Sequence, residues 1–225
     1  MRRKVDINPE NIIISPGGKV TMWHAILMFG DKNKEIIYPN PGFPIYESAI
    51  KYTGAKPIPM KLTIKNDFNI DIEKLKASIN KNTSLIIFNS PSNPTGGIVN
   101  QNDLNEIVNI LEKNPHIYIL SDEIYSRMIY DNINYKSLLS YPQLKDRIIL
   151  LDGWSKTYAM TGWRVGYSVW PSKLVKISER LNINSFSCTN TPAQYGALAA
   201  TEGPQDCVAK MVSIFDNRRK MIFNE

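Results

Sequence analysis

Residues 154–164 read WSKTYAMTGWR, and they hold the two cations on which the reading of this chain turns. Lys156 sits among serine, threonine, tyrosine, tryptophan and glycine, and Arg164 follows eight positions later. The preceding segment, RIILLDG at 147–153, is an apolar run that reads as a buried strand. The following segment, WRVGYSVW at 163–170, reads as another. A lysine between two core strands has two explanations. It is either a solvated turn residue, or a partly buried amine that forms a Schiff base while the arginine holds a phosphate. The rest of the chain decides between them.

The chain has 225 residues, enough for one α/β domain with a sizeable core. Its 43% hydrophobic and 21% charged residues are ordinary for a soluble globular protein. No apolar run approaches the roughly 20 residues that span a bilayer. Met1-Arg2-Arg3-Lys4 leads into Val-Asp-Ile-Asn-Pro rather than an apolar signal segment. Cys188 and Cys207 fit reduced thiols better than a disulfide framework, which points to the cytoplasm. His24 and His116 lie far apart in sequence, so no metal site is expected. The net charge of +6 is spread out, with short basic clusters only at Arg2-Arg3-Lys4 and Arg218-Arg219-Lys220. A nucleic-acid surface would cluster its cations, so neither nucleic acid nor membrane is an expected partner.

Along the chain, apolar runs predict strands at 12–14, 35–38, 56–60, 85–88, 117–120 and 148–151. Helices are predicted at 19–29, 45–52, 71–79, 102–112, 171–181, 191–201 and 206–223. Gly54 closes the second of these helices. Pro39-Asn40-Pro41-Gly42-Phe43-Pro44 reads as a shaped loop. Strands such as Leu85-Ile86-Ile87-Phe88 are apolar on both faces, the pattern of a sheet covered on both sides. The alternation predicts one three-layer α/β/α domain with a mainly parallel central sheet. Its unusual residues, at Gly17, Asn93, Asp122 and Lys156, gather just after strand C-termini, where open α/β sheets bind ligands.

Asp122 follows the run Ile117-Tyr118-Ile119-Leu120-Ser121, so its carboxylate belongs at the mouth of the sheet and needs a partner there. It is either a helix cap or internal salt bridge, or the group that holds a protonated ring nitrogen. A pyridinium needs such a partner to act as an electron sink. Tyr125 and Asn93 can donate to a phenolate oxygen on the same ring, and Phe43 can lie on its face. Arg164 is a planar, permanent cation suited to phosphate. The strand, Gly-Gly turn and helix order at Gly17, Gly18 and Lys19 supplies backbone N–H groups to complete a phosphate cup. Together these are the parts that pyridoxal phosphate requires.

SNPTG at 92–96, SDEIY at 121–125 and SKTYAMTGWRVGY at 155–167 give the chain its resemblance to the class I/II aminotransferases. These are aspartate-aminotransferase-like enzymes of the pyridoxal-phosphate fold type I superfamily, and the match runs over nearly the whole length. The resemblance implies that Lys156 forms the Schiff base and shuttles a proton, and that Asp122 pairs with the pyridine nitrogen. It implies that Asn93 and Tyr125 bond the ring oxygen, that Arg164 with Gly17, Gly18 and Lys19 holds the phosphate, and that Phe43 stacks. It further implies amino acid and 2-oxo acid substrates and a homodimer, with SFSCTNTPAQYGA at 185–197 resembling the region that enters the neighbouring subunit's site.

Three departures stand out. Many relatives carry a phosphate-binding serine three positions before the lysine; here that position is Gly153, and Ser155 is the candidate substitute. Ser185 and Phe186 stand near where animal-type aspartate-specific relatives place an arginine for a distal carboxylate. Complete relatives are longer on both sides, so residues 1–225 resemble the large domain, truncated at both ends and without the small C-terminal domain. Arg218 and Arg219 then fall in the domain-linking helix, where they are expected to be solvated. The same residues would also serve a related enzyme catalysing β-elimination or cyclopropane formation, because substrate orientation selects the bond broken. An inactive cofactor-binding fragment, or the cofactor-binding half of a regulator, is the reading outside enzymes.

Overall fold

Along the central strands, successive side chains enter two different cores. Ile86, Phe88, Ile119 and Leu150 pack into one, while Leu85, Ile87, Leu120, Ile149 and Leu151 pack into the other. This is the period of two that a pleated strand imposes, with both faces apolar. The computed structural model describes residue 3 and residues 5–223. Of the basic cluster at 2–4, only Arg3 is therefore described.

Among the described residues, seven strands form one sheet: β1 (Ile12–Ser15), β2 (Glu35–Asn40), β3 (Lys56–Lys61), β4 (Thr83–Asn89), β5 (Tyr118–Asp122), β6 (Ile148–Gly153) and β7 (Gly166–Val169). Their spatial order is β1-β7-β6-β5-β4-β2-β3. Pairing is parallel from β3 through β6, while β7 runs antiparallel to both of its neighbours. Helices α1 (Gly18–Phe29), α2 (Ile45–Tyr52) and α6 (Ser172–Phe186) supply Met22, Tyr46 and Val175 to the core on one face. Helices α3 (Ile72–Ser78) and α4 (Gln101–Glu112) supply Leu75 and Leu104 to the other. The three-layer α/β/α arrangement expected from the sequence is thus present. The remaining helices are α5 (Trp154–Thr157), α7 (Thr191–Glu202) and α8 (Asp206–Phe223). Among the described residues, no helix is long and apolar enough to cross a membrane.

Local chemistry sets several boundaries. Asp71, Asn100 and Asn190 cap α3, α4 and α7 by accepting from the backbone N–H groups of Lys74, Asp103 and Ala193. Gly54 follows α2 at φ 82, a left-handed conformation suited to glycine. Two expectations need correction. Pro39 and Asn40 belong to β2, not to a loop. They pair with Met60 and Lys61 of β3, after the pairing of β2 with β4 has ended at Ile37. A residue without an N–H is tolerated where only one neighbouring strand remains. The second correction concerns 163–170, which is strand only over Gly166–Val169; Thr161–Trp163 is a 3-10 turn. The link from β6 to β7 holds only this turn and the four-residue α5, so the chain doubles back and β7 is antiparallel.

The return is pinned by backbone contact. Gly153 pairs with Gly166, and Gly166 pairs with Ser15. A Cβ at Gly166 would stand 2.6 Å from the Gly18 nitrogen and 2.8 Å from the Gly17 carbonyl carbon. Neither is the flexible end of a side chain. Gly166→Ala is therefore expected to cost about 3 kcal/mol and to lower the melting temperature by several degrees. Thermal denaturation of the variant checks this, and an unchanged midpoint would show that the contact is not tight.

Candidate functional site

At the C-terminal edge of the parallel strands lies a cavity of about 400 Å³. Its lining includes Gly18, Lys19, Phe43, Asn93, Asp122, Tyr125, Ser155, Lys156 and Arg164. Of the residues singled out in the sequence, only Gly17 is missing from the lining, and it lies against Arg164: a Cβ there would enter the guanidinium.

Each side chain arrives by a short connection from a strand end. Asp122 is the last residue of β5, and Tyr125 lies in the turn after it. Asn93 follows β4, its N–H held at 2.8 Å by Asn89 Oδ1. Lys156 sits in α5, directly after β6, with its ammonium 5.7 Å from the centre of the Tyr125 ring. Lys156 is exposed, which corrects the expectation of a partly buried amine: α5 carries it onto the open side of the cavity, while its neighbours Ser155 and Thr157 face inward. Phe43 packs edge-on against Tyr46, with ring centres 5.9 Å apart, and the Lys19 ammonium lies 5.8 Å from its ring centre.

Arg164 ends the 3-10 turn in the left-handed conformation, φ 52. Its Nη1 donates to the Thr161 carbonyl at 2.8 Å and its Nη2 to the Pro16 carbonyl at 3.2 Å. The guanidinium is thereby fixed beside the start of α1, where first-turn N–H groups have no intrahelical partner. Gly17 is not one of the free donors, since its N–H bonds the Ser15 carbonyl at 2.6 Å. Gly18 and Lys19 are the positions left to offer theirs. A side chain at Gly153 would meet the Gly166 Cα at 2.9 Å, so this position is packed against backbone. Hydroxyls reach the cavity lining instead at Ser155 and Thr161, the latter donating to the Ser155 carbonyl at 3.0 Å.

Asp122 is only 7% exposed, yet no cation pairs with it among the described residues. Tyr46 Oη donates to its Oδ2 at 2.7 Å and the Ile124 N–H to its Oδ1 at 3.3 Å. Burial pushes its carboxyl up to about 6, against the opposing pull of these donors, and nearby Asp152 and Glu123 push the same way as burial. The Tyr46 hydroxyl is held well above its ordinary range by burial and by Asp122. Burial, then Asp122, also raises Tyr125.

Sequence reading missed three parts of this arrangement. Tyr46 lies on the buried face of α2, and its phenol was the only polar atom available there to meet a strand-end acid. Asn89 ends β4 directly after the apolar run Leu85–Phe88, much as Asp122 ends β5, a signal open to the same reasoning; its Nδ2 donates to the Asp122 carbonyl at 3.1 Å. Arg3 bonds Glu123 and Asp152 beneath the cavity, a contact 120 and 149 positions apart in sequence. Away from the site, Arg219 is not merely solvated: it pairs with Asp131 at 2.6 and 2.8 Å and with Asp216. Cys188 and Cys207 are free and exposed.

The sequence pattern of the family described as aminotransferase class I and II matches residues 1–225. A probable aspartate aminotransferase of Methanocaldococcus jannaschii is 42% identical over 226 residues, covering 98% of this chain and 58% of that protein. The crystal structure of the aspartate aminotransferase from Rhizobium meliloti superposes with a TM-score of 0.95 at 30% identity, covering 99% of this chain and 56% of its own. An aromatic aminotransferase from Pyrococcus horikoshii superposes with a TM-score of 0.93 at 29% identity, covering 97% and 59%. The chain thus spans a little over half the length of the curated relatives it matches. Matched along its whole length by the family pattern, and folded like these enzymes, the chain belongs to the class I and II aminotransferases, a family that uses pyridoxal phosphate.

Proposed function

We propose that this chain forms the cofactor-binding part of an aminotransferase that moves an amino group between an amino acid and a 2-oxo acid. One observation carries the reading. A buried carboxylate that no cation among the described residues pairs with, a lysine, and an arginine beside a helix N-terminus line a single cavity. Pyridoxal phosphate offers the complement: a ring nitrogen that can carry a proton, a carbonyl, and a phosphate. When bound, it supplies an electron-withdrawing ring that labilises bonds to the substrate α-carbon.

In this reading Asp122 keeps a proton on the ring nitrogen, where charge on both partners makes the hydrogen bond strong. Tyr46 orients Asp122 from the opposite oxygen. Lys156 would be the amine that holds the cofactor at its carbonyl, and its nitrogen would hold and move a proton at the substrate carbon. Its exposed position gives it the freedom to do both. Asn93 and Tyr125 donate to the ring oxygen, and Phe43 covers a ring face. Arg164 and the N–H groups of Gly18 and Lys19 hold the phosphate, with Ser155 the nearest substitute for the hydroxyl absent at Gly153. The relatives' names make aspartate the first donor to test. A homodimer belongs to the same reading, with residues 185–197 reaching the neighbouring subunit. Two exposed, unpaired thiols suit a reducing cytoplasm.

Adding pyridoxal phosphate to the purified protein should give a visible absorption band and, after borohydride reduction, a cofactor mass on the peptide containing Lys156. Lys156→Ala should abolish both. Wild-type labelling in that variant would remove the lysine from its role. Conversion of the band by aspartate or another amino acid to that of the aminated cofactor supports transamination; elimination products instead would redirect the chemistry.

Asp122 also makes a prediction that needs no cofactor. Its folded value, about 6, lies above the ordinary 3.8, so the folded protein holds this proton more tightly than the unfolded chain. The carboxyl therefore loses stability for the fold as pH rises from about 4 to about 6, by up to about 3 kcal/mol above that window. Asp122→Asn should accordingly be more stable than wild type at pH 8 and gain nothing at pH 4, while turnover falls at least about a hundredfold. Urea denaturation at both pH values checks the sign; a variant weakened at pH 8 would contradict it.

A further inference from the structure

Three acids converge where β5 and β6 end. Asp122, Glu123 and Asp152 are 7%, 1% and 6% exposed. Arg3 is lodged among them. Its Nε donates to Glu123 Oε2 at 2.8 Å, and its Nη2 to Asp152 Oδ2 at 2.5 Å and to Ser126 Oγ at 3.1 Å. Its Nη1 donates to Tyr167 Oη at 2.9 Å. The segment that carries Arg3 is itself anchored. Val5 and Ile7 pack on the core beneath α3 and α4, and Lys145 Nζ donates to the Asp6 carbonyl at 3.1 Å. A guanidinium suits this place because its rigid fork of five N–H groups can meet two carboxylates, a phenol and a hydroxyl at once. Ser121 and Ser137 also donate to Glu123 Oε1 at 3.0 and 2.6 Å, and the Tyr135 hydroxyl hydrogen-bonds the same carboxylate.

We propose that Arg3 is a positioning residue for the reaction: by binding Glu123 and Asp152, it leaves Asp122 as the one carboxylate of the cluster free to face a cation in the cavity. This rests on reading the cavity as the pyridoxal phosphate site. The charges decide the matter. Glu123 and Asp152 both repel the Asp122 charge, and both are ion-paired to Arg3, whose positive charge compensates theirs. Burial disfavours charge on Arg3 itself, but Asp152 and Glu123 outweigh it and hold the guanidinium above its ordinary range. Without Arg3, Glu123 and Asp152 join Asp122 in having no cation among the described residues, and protons from solvent must replace it. A protonated Asp122 can no longer hold the ring proton in place. Asp152 would keep only the longer bonds from Tyr167 and Ser126 to its Oδ2, while its Oδ1 accepts at 2.7 Å from Gly153 N–H, three residues before Lys156.

The test is a carboxyl-carbon NMR titration of Asp122 in the intact, cofactor-free protein. In Arg3→Met, Asp122 should become about tenfold weaker an acid than in wild type. Arg3→Lys, which keeps the charge but not the fork, should fall between the two. The triple variant Arg3→Met, Glu123→Gln, Asp152→Asn removes the arginine together with the acids it holds. Asp122 should there be no weaker an acid than in wild type. An Asp122 titration unmoved in a folded Arg3→Met, or raised in the triple variant, overturns the proposal. If Arg3→Met does not fold, the triple variant still decides. In the holoenzyme, the acid limb of the kcat/KM profile should move to higher pH in Arg3→Met, a shift that a merely structural loss would not produce. Wild-type protein that binds no cofactor would sink the site reading, while the titration would still decide what Arg3 does to Asp122.

Discussion

Where β6, β7 and the start of α1 meet, the packing leaves no room for side chains. Gly153 lies against Gly166, and Gly166 against the backbone of Gly17 and Gly18. The loop from 154 to 165 leaves this contact at one end and re-enters it at the other. It holds Lys156 near its start and Arg164 near its end. The lysine, the arginine and the helix N-terminus are thus referenced to a single backbone junction, not to three independent loops. Positioning of this kind is what a site needs when errors of an ångström are costly. Arg164 adds local strain to the arrangement. A non-glycine residue at φ 52 costs about 1 kcal/mol, offset here by guanidinium bonds to Thr161 and Pro16. The same crowding bears on Gly153. In this chain the position is surrounded by the Gly166 Cα and the Val165 carbonyl, and a serine there would have to displace backbone.

Electrostatics oppose stability in the same few residues. Asp122 is buried with hydrogen-bond donors but no counter-cation among the described residues, an arrangement that costs free energy until a cation arrives. Asp152 is also raised by burial, but there Arg3 supplies the opposing cation. Asp122 ends β5, Asp152 is the last residue but one of neighbouring β6, and the two acids differ chiefly in partner. One is a closed ion pair beneath the sheet edge; the other is an open half of a pair whose second member would enter with a ligand. Tyr46 holds the open half in place without neutralising it, since a phenol donates a hydrogen bond and no charge.

Much of this was readable from residues alone. Apolar runs located every strand, because a sheet buried on both faces leaves little freedom in composition. Asp122 ends β5, while Asn93, Tyr125 and Lys156 come within a few residues of a strand C-terminus, and such ends converge at one edge of a parallel sheet; Arg164 reaches the same edge from just before β7, which runs antiparallel. The misses have a common cause. Tyr46 and Arg3 reach the site from elements whose local pattern says only helix face or chain segment, and their contacts span 76 to 149 positions. Pairings so distant leave no periodicity to detect. The β2 error arose differently. Proline and asparagine argue against a strand with two neighbours, and β2 keeps only β3 beside it at that point. Exposure of Lys156 was also beyond pattern reading, since one helical turn decides which way a four-residue helix presents each side chain.

The cavity has a direction, and the direction constrains what can occupy it. Its acid is buried and its cations, Lys19, Lys156 and Arg164, are exposed. A ligand with a cationic ring atom gains most by placing that atom inside, where Asp122 is screened least by solvent. An anionic group gains by remaining at the rim beside Arg164 and the first turn of α1, where it need not surrender all of its hydration. A reversed orientation would bury an anion against Asp122 and leave the carboxylate without a partner, so both ends would be penalised. The burial gradient therefore fixes ligand orientation before any ring contact is made. In the proposed reading, the side chains of Phe43, Tyr125 and Asn93 would then have only to refine the placement of a ring whose two ends are already assigned.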